Sequence, residues 1–328
     1  MLVTIAILLF VFIIGLCIGS FLNVVILRAL SNESIVFPAS KCPKCQHKLL
    51  WWHNIPILSY IILGGKCGFC KEKISPQYPI IELLTGIMFV LSIIKYGISL
   101  NTLFAWIIGS LFIVIAATDW KEKIVFDIHT YALICVGIIY AIYMLVMDLY
   151  TYHSVTGTFN FTREWIVGNS LSSTILGIIL GFVILEAIAR LGYLFAGTRA
   201  FGEGDSFIAA GLGAVYGWKG LLFVLVLSVI IQVIITLPIF IKKEFDNKNW
   251  MTLISITAFA LYTAAFIMAQ QFGWFTSTIA YGASATVLAV IGLLTCREIL
   301  IGIKNPENRT YLPFGPAMIL AGFVLLLI

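Results

Sequence analysis

Uninterrupted apolar runs constrain the fold of this chain more than any other sequence feature. Several of them exceed the length of about 18 residues that a helix needs to cross the hydrocarbon core of a bilayer. The chain is 61% hydrophobic and 11% charged, which does not suit a domain surrounded by water. Lipid gives the backbone no hydrogen-bond partners, so only helices and closed barrels cross it, and these runs lack the alternation of barrel strands. The sequence therefore predicts an all-α polytopic membrane protein.

The apolar runs predict about eight to ten transmembrane helices. The predicted spans are 2–27, 79–97, 102–118, 128–147, 166–196, 206–217, 219–241, 251–270, 276–295 and 312–328. The first is predicted to be a retained helix, because it lacks the basic n-region of a signal peptide and exceeds the length of its core. The span at 206–217 would cover only roughly 18 Å. Two interpretations stay open there: a half-helix that breaks at Gly217-Trp218-Lys219-Gly220, or one long bent helix over 206–241.

The distribution of basic residues predicts the orientation of the chain. If the N-terminus is outside, three of the 20 Lys and Arg residues face outward or lie at the outer edge, namely Lys95, Arg163 and Lys219. Because cytoplasmic loops are enriched in Lys and Arg, we predict this orientation and favour the break at Gly217, which keeps the later basic residues inside. The net charge of +5 then reflects topology and contact with anionic lipid, and it indicates no nucleic-acid partner.

Four of the seven cysteines form two C-x-x-C pairs in the basic loop between the first two spans. These are Cys42, Cys45, Cys67 and Cys70, with 21 residues between the pairs. Such spacing is typical of a tetrahedral zinc site with thiolate ligands. A closed four-thiolate site leaves no position for water, so we predict that the zinc organises the loop and does not catalyse. Redox-active or metal-free thiols are the alternative, and His47 and His53 are competing ligands.

Two aspartates lie at the ends of different apolar segments and predict catalysis. Asp119 ends one segment, and Asp205 follows a Gly-x-Gly step and opens another. A carboxylate at membrane depth costs about 2.5–3.5 kcal/mol and is therefore expected to be functional and paired. Glycines allow a close approach of the backbone to a second group. We predict that the two aspartates meet as a dyad that shares a proton and activates water.

Each of these aspartates also has a purely structural interpretation. Asp119 could cap a helix end or pair with Lys121 or Lys123, and Asp205 could be the N-cap of a helix that starts at Ser206. Neither alternative explains why an acid and a Gly-x-Gly step occur together.

The remaining acids have simpler predicted roles. We expect Asp127 to cap the helix that begins near Ile128, with a supporting role in the site as the alternative. Glu203 is expected to be a solvated loop acid, with a substrate contact as the alternative. Glu186 and Arg190 are spaced i,i+4 and are expected to form a helix ion pair.

Five ordered blocks give the chain a resemblance to a known family. They are 19–28, the cysteine loop through 74–83, Asp119 with Asp127 and Thr130, Gly202-Glu203-Gly204-Asp205, and 312–316. Together they resemble the type IV prepilin peptidase family, the leader peptidase / N-methyltransferase enzymes among the GxGD aspartic membrane proteases. The blocks cover most of the chain.

The resemblance implies a membrane aspartic endopeptidase that removes the leader of prepilins and pseudopilins, with Asp119 and Asp205 as catalytic residues. It further implies a multi-pass protein of the bacterial inner membrane whose active site faces the cytoplasm. The apolar helix of the substrate would enter from the bilayer. Relatives with the cysteine loop also N-methylate the new N-terminus with S-adenosylmethionine. No glycine-rich unit for that cofactor is visible, and Glu82 is expected either to serve methyl transfer or to reach the interface. The oligomeric state stays open.

The chain departs from the family pattern at three places. Phe126 stands where the family usually has proline, and Ser206-Phe207 follow the second aspartate. About 60 residues before the last span read as an inserted hairpin. The predicted domains are 1–27, a first span; 28–78, a cytoplasmic zinc loop; 79–250, a peptidase core; 251–295, an inserted transmembrane hairpin; and 296–328, a Pro-Phe-Gly-Pro loop with the last span.

Three other functions compete with the peptidase. A transporter would use Asp119, Asp205 and Glu186 as a carboxylate relay, but it predicts deeper acids and repeat symmetry. The acids instead cluster at inner ends, and no internal repeat is apparent. A protease of the signal-peptide-peptidase type carries Tyr-Asp and Gly-Leu-Gly-Asp motifs, which this chain lacks. A non-catalytic zinc-loop assembly protein would need neither aspartate.

Overall fold

The computed structural model describes residues 2–31, 33–37, 40–156, 170–196, 202–271, 278–304 and 313–328. Its helices are α1 Leu2–Ser31, α2 Leu58–Ile62, α3 Gln77–Tyr96, α4 Leu100–Glu122, α5 Asp127–Thr156, α6 Ser170–Ala196, α7 Glu203–Asp246, α8 Trp250–Gln271, α9 Thr278–Lys304 and α10 Gly315–Leu327. A 3₁₀ turn, Trp51–Asn54, precedes α2. Within these ranges the only β-pairing is two isolated bridges in the cysteine loop.

Seven of these helices, α1 and α3 to α8, are long and apolar enough to cross a membrane. Two shorter apolar stretches, Tyr281–Thr295 in α9 and Gly315–Leu327, add to them. The prediction of an all-α polytopic membrane protein is confirmed. Arg163 and Arg309, together with the predicted span starts at 166, 276 and 312, lie outside the described residues.

Helix α7 is interrupted at Gly217, where the φ and ψ angles are 66° and 179°. Only glycine adopts such angles without strain. A Cβ at this position would also collide with the hydroxyl of Ser173 on α6. The sequence thus located the break correctly, although the helical segments on either side are longer than the predicted spans 206–217 and 219–241.

The chain divides into two compact units, residues 1–231 with 313–328, and residues 232–312. In the second unit α8 packs against α9. The Thr295 hydroxyl donates to the carbonyl of Ser255 at 3.2 Å, and the Tyr262 hydroxyl lies 3.0 Å from that of Ser284. This unit includes the residues that the sequence analysis assigned to an inserted hairpin.

Helix α4 joins the two apolar clusters of the first unit. Phe112 and Ile115 belong to a cluster with buried residues of α5, α6, α7 and α10, whereas Ile113 and Val114 pack with α1 and α3. Because α4 is covered on both sides, its C-terminal end is fixed in position. That end carries Asp119.

Small residues bring α6 close to the first half of α7. A Cβ on Gly177 would collide with the backbone of Gly213, and one on Gly181 would collide with the backbone of Ala209. These pairs run in opposite directions along the two helices, so the helices are antiparallel there. Small residues are the usual means of close helix packing in lipid, where burial of apolar surface gives no driving force. The seam fixes the N-terminal end of α7, which carries Asp205.

Candidate active site and cysteine cluster

Asp119 lies in the last turn of α4 and is only 4% exposed. The helix ends three residues later, where Lys123 adopts a left-handed conformation and its N–H donates to the Asp119 carbonyl at 2.9 Å. This C-cap turns the chain sharply into the short link before α5. The aspartate is therefore held at a buried helix end and does not extend into solvent.

Asp205 lies in the first turn of α7 and is 7% exposed. Its carboxylate accepts the backbone N–H of Gly202 at 3.0 Å. This is the bond of a capping box in which the side chain at the third helical position accepts the N–H of the N-cap residue. Because α7 begins at Glu203, the alternative in which Asp205 is the N-cap of a helix starting at Ser206 is wrong. Gly204 is needed because a Cβ there would lie 2.5 Å from the Cβ of Val125, in the link after α4.

The two aspartates come together against the start of α10. Their carboxyl groups are close enough to interact electrostatically. The Gly315 N–H contacts the Asp205 carboxylate, and a Cβ on Gly315 would collide with Oδ2 of Asp119. Among the residues that the structure describes, that buried oxygen has no hydrogen-bond partner. The arrangement provides two adjoining carboxyl groups with one acceptor left open for a water or a peptide group.

Gly315 is the site residue that sequence reasoning missed. The Pro-Phe-Gly-Pro block was visible and contributed to the resemblance, but nothing in its local pattern connects it to an acid almost two hundred positions earlier. The sequence feature that could have indicated Gly315 is a glycine near the start of a predicted span.

The other acids that the sequence suggested have exposed positions or separate partners. Asp127 is the first residue of α5 and is exposed, as is Glu203. Glu186 forms the predicted ion pair with Arg190 at 2.9 Å on α6. Glu82 has the partner that the sequence did not reveal: its carboxylate accepts the N–H of Ile57 at 2.7 Å.

Two of the departures from the family pattern are aromatic packing residues. Phe126 contacts the ring of His129 edge-on, with centroids 5.8 Å apart. Phe207 contacts the ring of Tyr131 at the same centroid separation. Both rings therefore pack between elements next to the acid pair, without replacing either acid.

The four predicted cysteine ligands cluster in space. The sulfur atoms of Cys42, Cys45, Cys67 and Cys70 all lie within 4.8 Å of one another. Those of Cys42 and Cys70 are 3.9 Å apart. A tetrahedral ion with metal–sulfur bonds of about 2.3 Å places its ligands roughly 3.8 Å apart, so the cluster could hold a metal ion.

The cysteine loop contains an internal repeat that was not apparent in the sequence. Lys41 pairs with Lys48 in one isolated bridge, and Lys66 pairs with Lys73 in the other. In each C-x-x-C knuckle the N–H of the first cysteine donates to a carbonyl five residues later, and the residue before that carbonyl has a positive φ. The two knuckles thus have the same backbone conformation, offset by 25 positions. Each brings two sulfur atoms to the cluster.

The thiol pKa values reflect interactions within the cysteine cluster. Backbone N–H groups of Cys70 and Phe69 lower the pKa of Cys67 to about 7. The pKa of Cys70 rises to about 11, despite a backbone hydrogen bond at Glu72, because burial and the three other cysteines disfavour its charge. Four thiolates so close together need a positive ion to balance them.

The two histidines that were considered as competing ligands lie outside the cluster. The His47 ring stacks on Phe69 with centroids 4.5 Å apart. The His53 ring accepts the N–H of Leu50 through Nδ1 at 3.4 Å. Both rings pack within the loop.

Comparisons with known proteins identify two family regions in the chain. A model described as the Bacterial Peptidase A24 N-terminal domain matches residues 13–96, and one described as the Type IV leader peptidase family matches residues 106–237. The first of these regions includes the cysteine loop, and the second includes both aspartates. No solved structure matches the chain.

Three relatives carry the name prepilin leader peptidase/N-methyltransferase. The Myxococcus xanthus protein is 34% identical over 67% of this chain and 59% of its own length. The Klebsiella pneumoniae protein is 32% identical over 65% of this chain and 86% of its own, and the Neisseria gonorrhoeae protein is 32% identical over 70% and 82%. The match therefore spans less than two thirds of the Myxococcus protein but most of the other two. Because two of these relatives are 32% identical over most of their own length and the two family regions match in order, the chain belongs to the type IV leader peptidase family.

Proposed function

We propose that this chain is a membrane-embedded aspartic endopeptidase that removes the leader of type IV prepilins and pseudopilins. Asp119 and Asp205 are its catalytic residues. The observation that carries the proposal is the meeting of two buried carboxyl groups from separate helices beside the backbone of Gly315. The names of the relatives supply the substrate class.

The acid pair hydrolyses the peptide bond without a covalent intermediate. Two adjoining carboxyl groups share one proton, because like charges oppose joint ionisation. The ionised group takes a proton from water as the oxygen attacks the scissile carbonyl, while the protonated group donates to the carbonyl oxygen. Collapse of the tetrahedral intermediate breaks the C–N bond, and the leaving nitrogen takes up a proton. The products are the leader and a free amine.

The Gly315 backbone orients this chemistry. Its N–H contacts one carboxylate, and its missing side chain leaves room for the other. The protein therefore restrains both acids from a third helix. A transporter is not favoured, since Glu186 of the suggested relay already pairs with Arg190 on α6.

The active site of this enzyme faces the cytoplasm, with the N-terminus outside, in a bacterial inner membrane. The excess of basic residues in the loop 28–78 supports this orientation. The substrate helix enters from the lipid, and its polar junction with the leader reaches the acids at the membrane surface. In this organisation residues 251–295 are an inserted transmembrane hairpin between the peptidase core, 79–250, and the region of the last span, 296–328.

The cysteine cluster holds a structural zinc ion. Four thiolates at these separations suit zinc, and a closed set of ligands leaves it no open position. The protein also N-methylates the amine that hydrolysis releases, with S-adenosylmethionine as the methyl donor. The relatives' names support this second activity.

The test of the proposed function is leader removal from a co-expressed prepilin. We expect Asp119→Asn and Asp205→Asn each to lower the rate at least about a hundredfold, because each removes a proton-transfer group. Asp148→Asn, at an exposed acid of α5, is the matched control and should cleave like the wild type. Normal cleavage by either dyad variant, with comparable amounts of protein in the membrane, would disprove the role of the pair.

A further inference from the structure

A cavity of about 690 Å³ lies between the end of α1, the cysteine loop and the start of α3. Its volume falls in the range of small-molecule sites, roughly 300–1,000 Å³. Helices α1 and α3 approach closely at its floor, where a Cβ on Gly19 would lie 2.7 Å from the Cα of Glu82. None of the peptidase chemistry uses this space.

Glu82 lines the cavity, and among the residues that the structure describes its carboxylate has no cationic partner. The side chain is 6% exposed, accepts the N–H of Ile57 and lies beside the Ser20 hydroxyl. The part of the chain that the structure describes places no basic group within 4.0 Å of it. A buried carboxylate without a positive partner is costly, so its position is understandable if a cation binds there.

Two further buried side-chain atoms, one on α1 and one on α3, have no hydrogen-bond partner among the described residues. Asn23, 1% exposed, donates to the Tyr78 carbonyl at 3.1 Å, but its Oδ1 has no partner within the described ranges. The same holds for Nε2 of Gln77, a residue that lines the cavity. Buried polar atoms normally have partners, and the unsatisfied Gln77 amide in the cavity lining indicates a polar ligand, whereas Asn23 lies outside that lining.

The cavity adjoins the site of hydrolysis. Lys121, two residues after Asp119 on the same helix, contributes to its lining. Arg28, Lys41 and Lys73 also line it. Three acids line the cavity as well, Glu33, Glu72 and Glu82. Of these three, Glu82 is the buried one, so its carboxylate is the position at which a positively charged ligand is held away from water.

We propose that Glu82 binds the amine released by leader removal and receives its proton during methyl transfer. The inference rests on the proposed function. The amine nitrogen attacks the methyl group of a sulfonium donor, so that the new N–C bond forms as the S–C bond breaks. The donor leaves as a neutral thioether, and the proton lost from nitrogen passes to the Glu82 carboxylate. The basic side chains of the lining would hold the carboxylate of the donor.

Binding of the amine is measured apart from any reaction. A peptide with the mature N-terminal sequence of the prepilin and its N-acetylated form are titrated into the purified, metal-loaded protein without a methyl donor. We expect the wild type to prefer the free amine about tenfold, a typical effect of one charge-assisted hydrogen bond. Glu82→Gln should reduce this preference to less than about twofold, since its amide oxygen still accepts the Ile57 N–H but carries no charge.

Two controls separate this role from a structural one. Glu33→Gln changes an exposed acid that lines the same cavity and should keep the amine preference. Glu82→Gln should keep leader removal and metal content within about twofold of the wild type while methyl transfer from S-adenosylmethionine falls about a hundredfold. Unchanged amine preference in Glu82→Gln overturns the proposal, and so does loss of bound metal and of cleavage in that variant. If the wild type removes no leader, the proposed function fails, whereas the peptide titration still tests Glu82.

Discussion

A single missing side chain at Gly315 determines the geometry of the acid pair. Asp119 approaches from α4 and Asp205 from α7, and both meet the backbone at the start of α10. Each acid is buried, so neither can turn into solvent to avoid an intruding group. Sensitivity at this position follows from packing alone.

We predict that Gly315→Ala lowers leader removal about a hundredfold, because a displacement near 1 Å in a catalytic group has effects of this size. The added Cβ would collide with the Asp119 carboxyl group and lie 2.9 Å from Ile208. Single-turnover cleavage of a prepilin in detergent is the measurement. Gly282→Ala is the control, since no atom of the described residues lies within 4 Å of a Cβ on that glycine. Equal rates for the two variants would contradict this account.

At the level of elements, the two knuckles of the cysteine loop are equivalent by structure. Each contributes two sulfur atoms to the cluster through the same backbone turn, so a metal ion bound there would have equal numbers of ligands from both knuckles. A change in one should therefore affect the loop as much as the same change in the other.

We predict that Cys42→Ser and Cys67→Ser both abolish stoichiometric zinc binding and lower the thermal stability of the loop. Removal of a thiolate opens a structural zinc site, whose ligands support folding directly. Metal analysis of the purified protein and protease sensitivity of the loop are the measurements. Cys135→Ser, at an exposed cysteine of α5, should keep its metal. Absence of zinc from the wild type would remove the basis of the prediction.

The sequence predicted the elements better than the contacts between them. Apolar runs revealed the helices, and the short apolar run before the glycines at 217 and 220, with the basic residues after 241, indicated the break in α7. The pairing of Asp119 with Asp205 was predictable because isolated acids at helix ends need a partner. The contacts of Gly315 with the acids, and of Ile57 with Glu82, were not predictable, because they depend on backbone approach between distant segments. The knuckle repeat was missed because its likeness lies in turn conformation more than in side chains.

For the whole molecule, the acid pair and the link between α3 and α4 lie at opposite ends of α4. About 30 Å of helix separates Leu100 from Asp119, the thickness of the hydrocarbon core. Near the far end, the Tyr96 hydroxyl and the Lys95 ammonium both donate to the Leu326 carbonyl, at 2.8 and 3.1 Å. Because α4 is as long as the hydrocarbon core is thick, the acid pair and the link between α3 and α4 lie at opposite faces of the membrane.

We predict that a membrane-impermeant maleimide labels Ile98→Cys in intact spheroplasts and labels Glu122→Cys only after permeabilisation. Both positions are exposed, so a difference between them reports the face of the membrane and not burial. The measurement is a mass shift on a gel, in a background that retains the four loop cysteines and lacks the others. The reverse labelling pattern would contradict the proposed orientation.

The contribution of α10 to the acid pair has a consequence for biosynthesis. Gly315 is translated long after both aspartates, so α4 and α7 are already in the membrane while the backbone that completes their site is still on the ribosome. Until α10 inserts, the acids lack the contact that restrains them, and a nascent chain is catalytically silent. Competence for proteolysis is thereby delayed until the transmembrane bundle around the acids has closed.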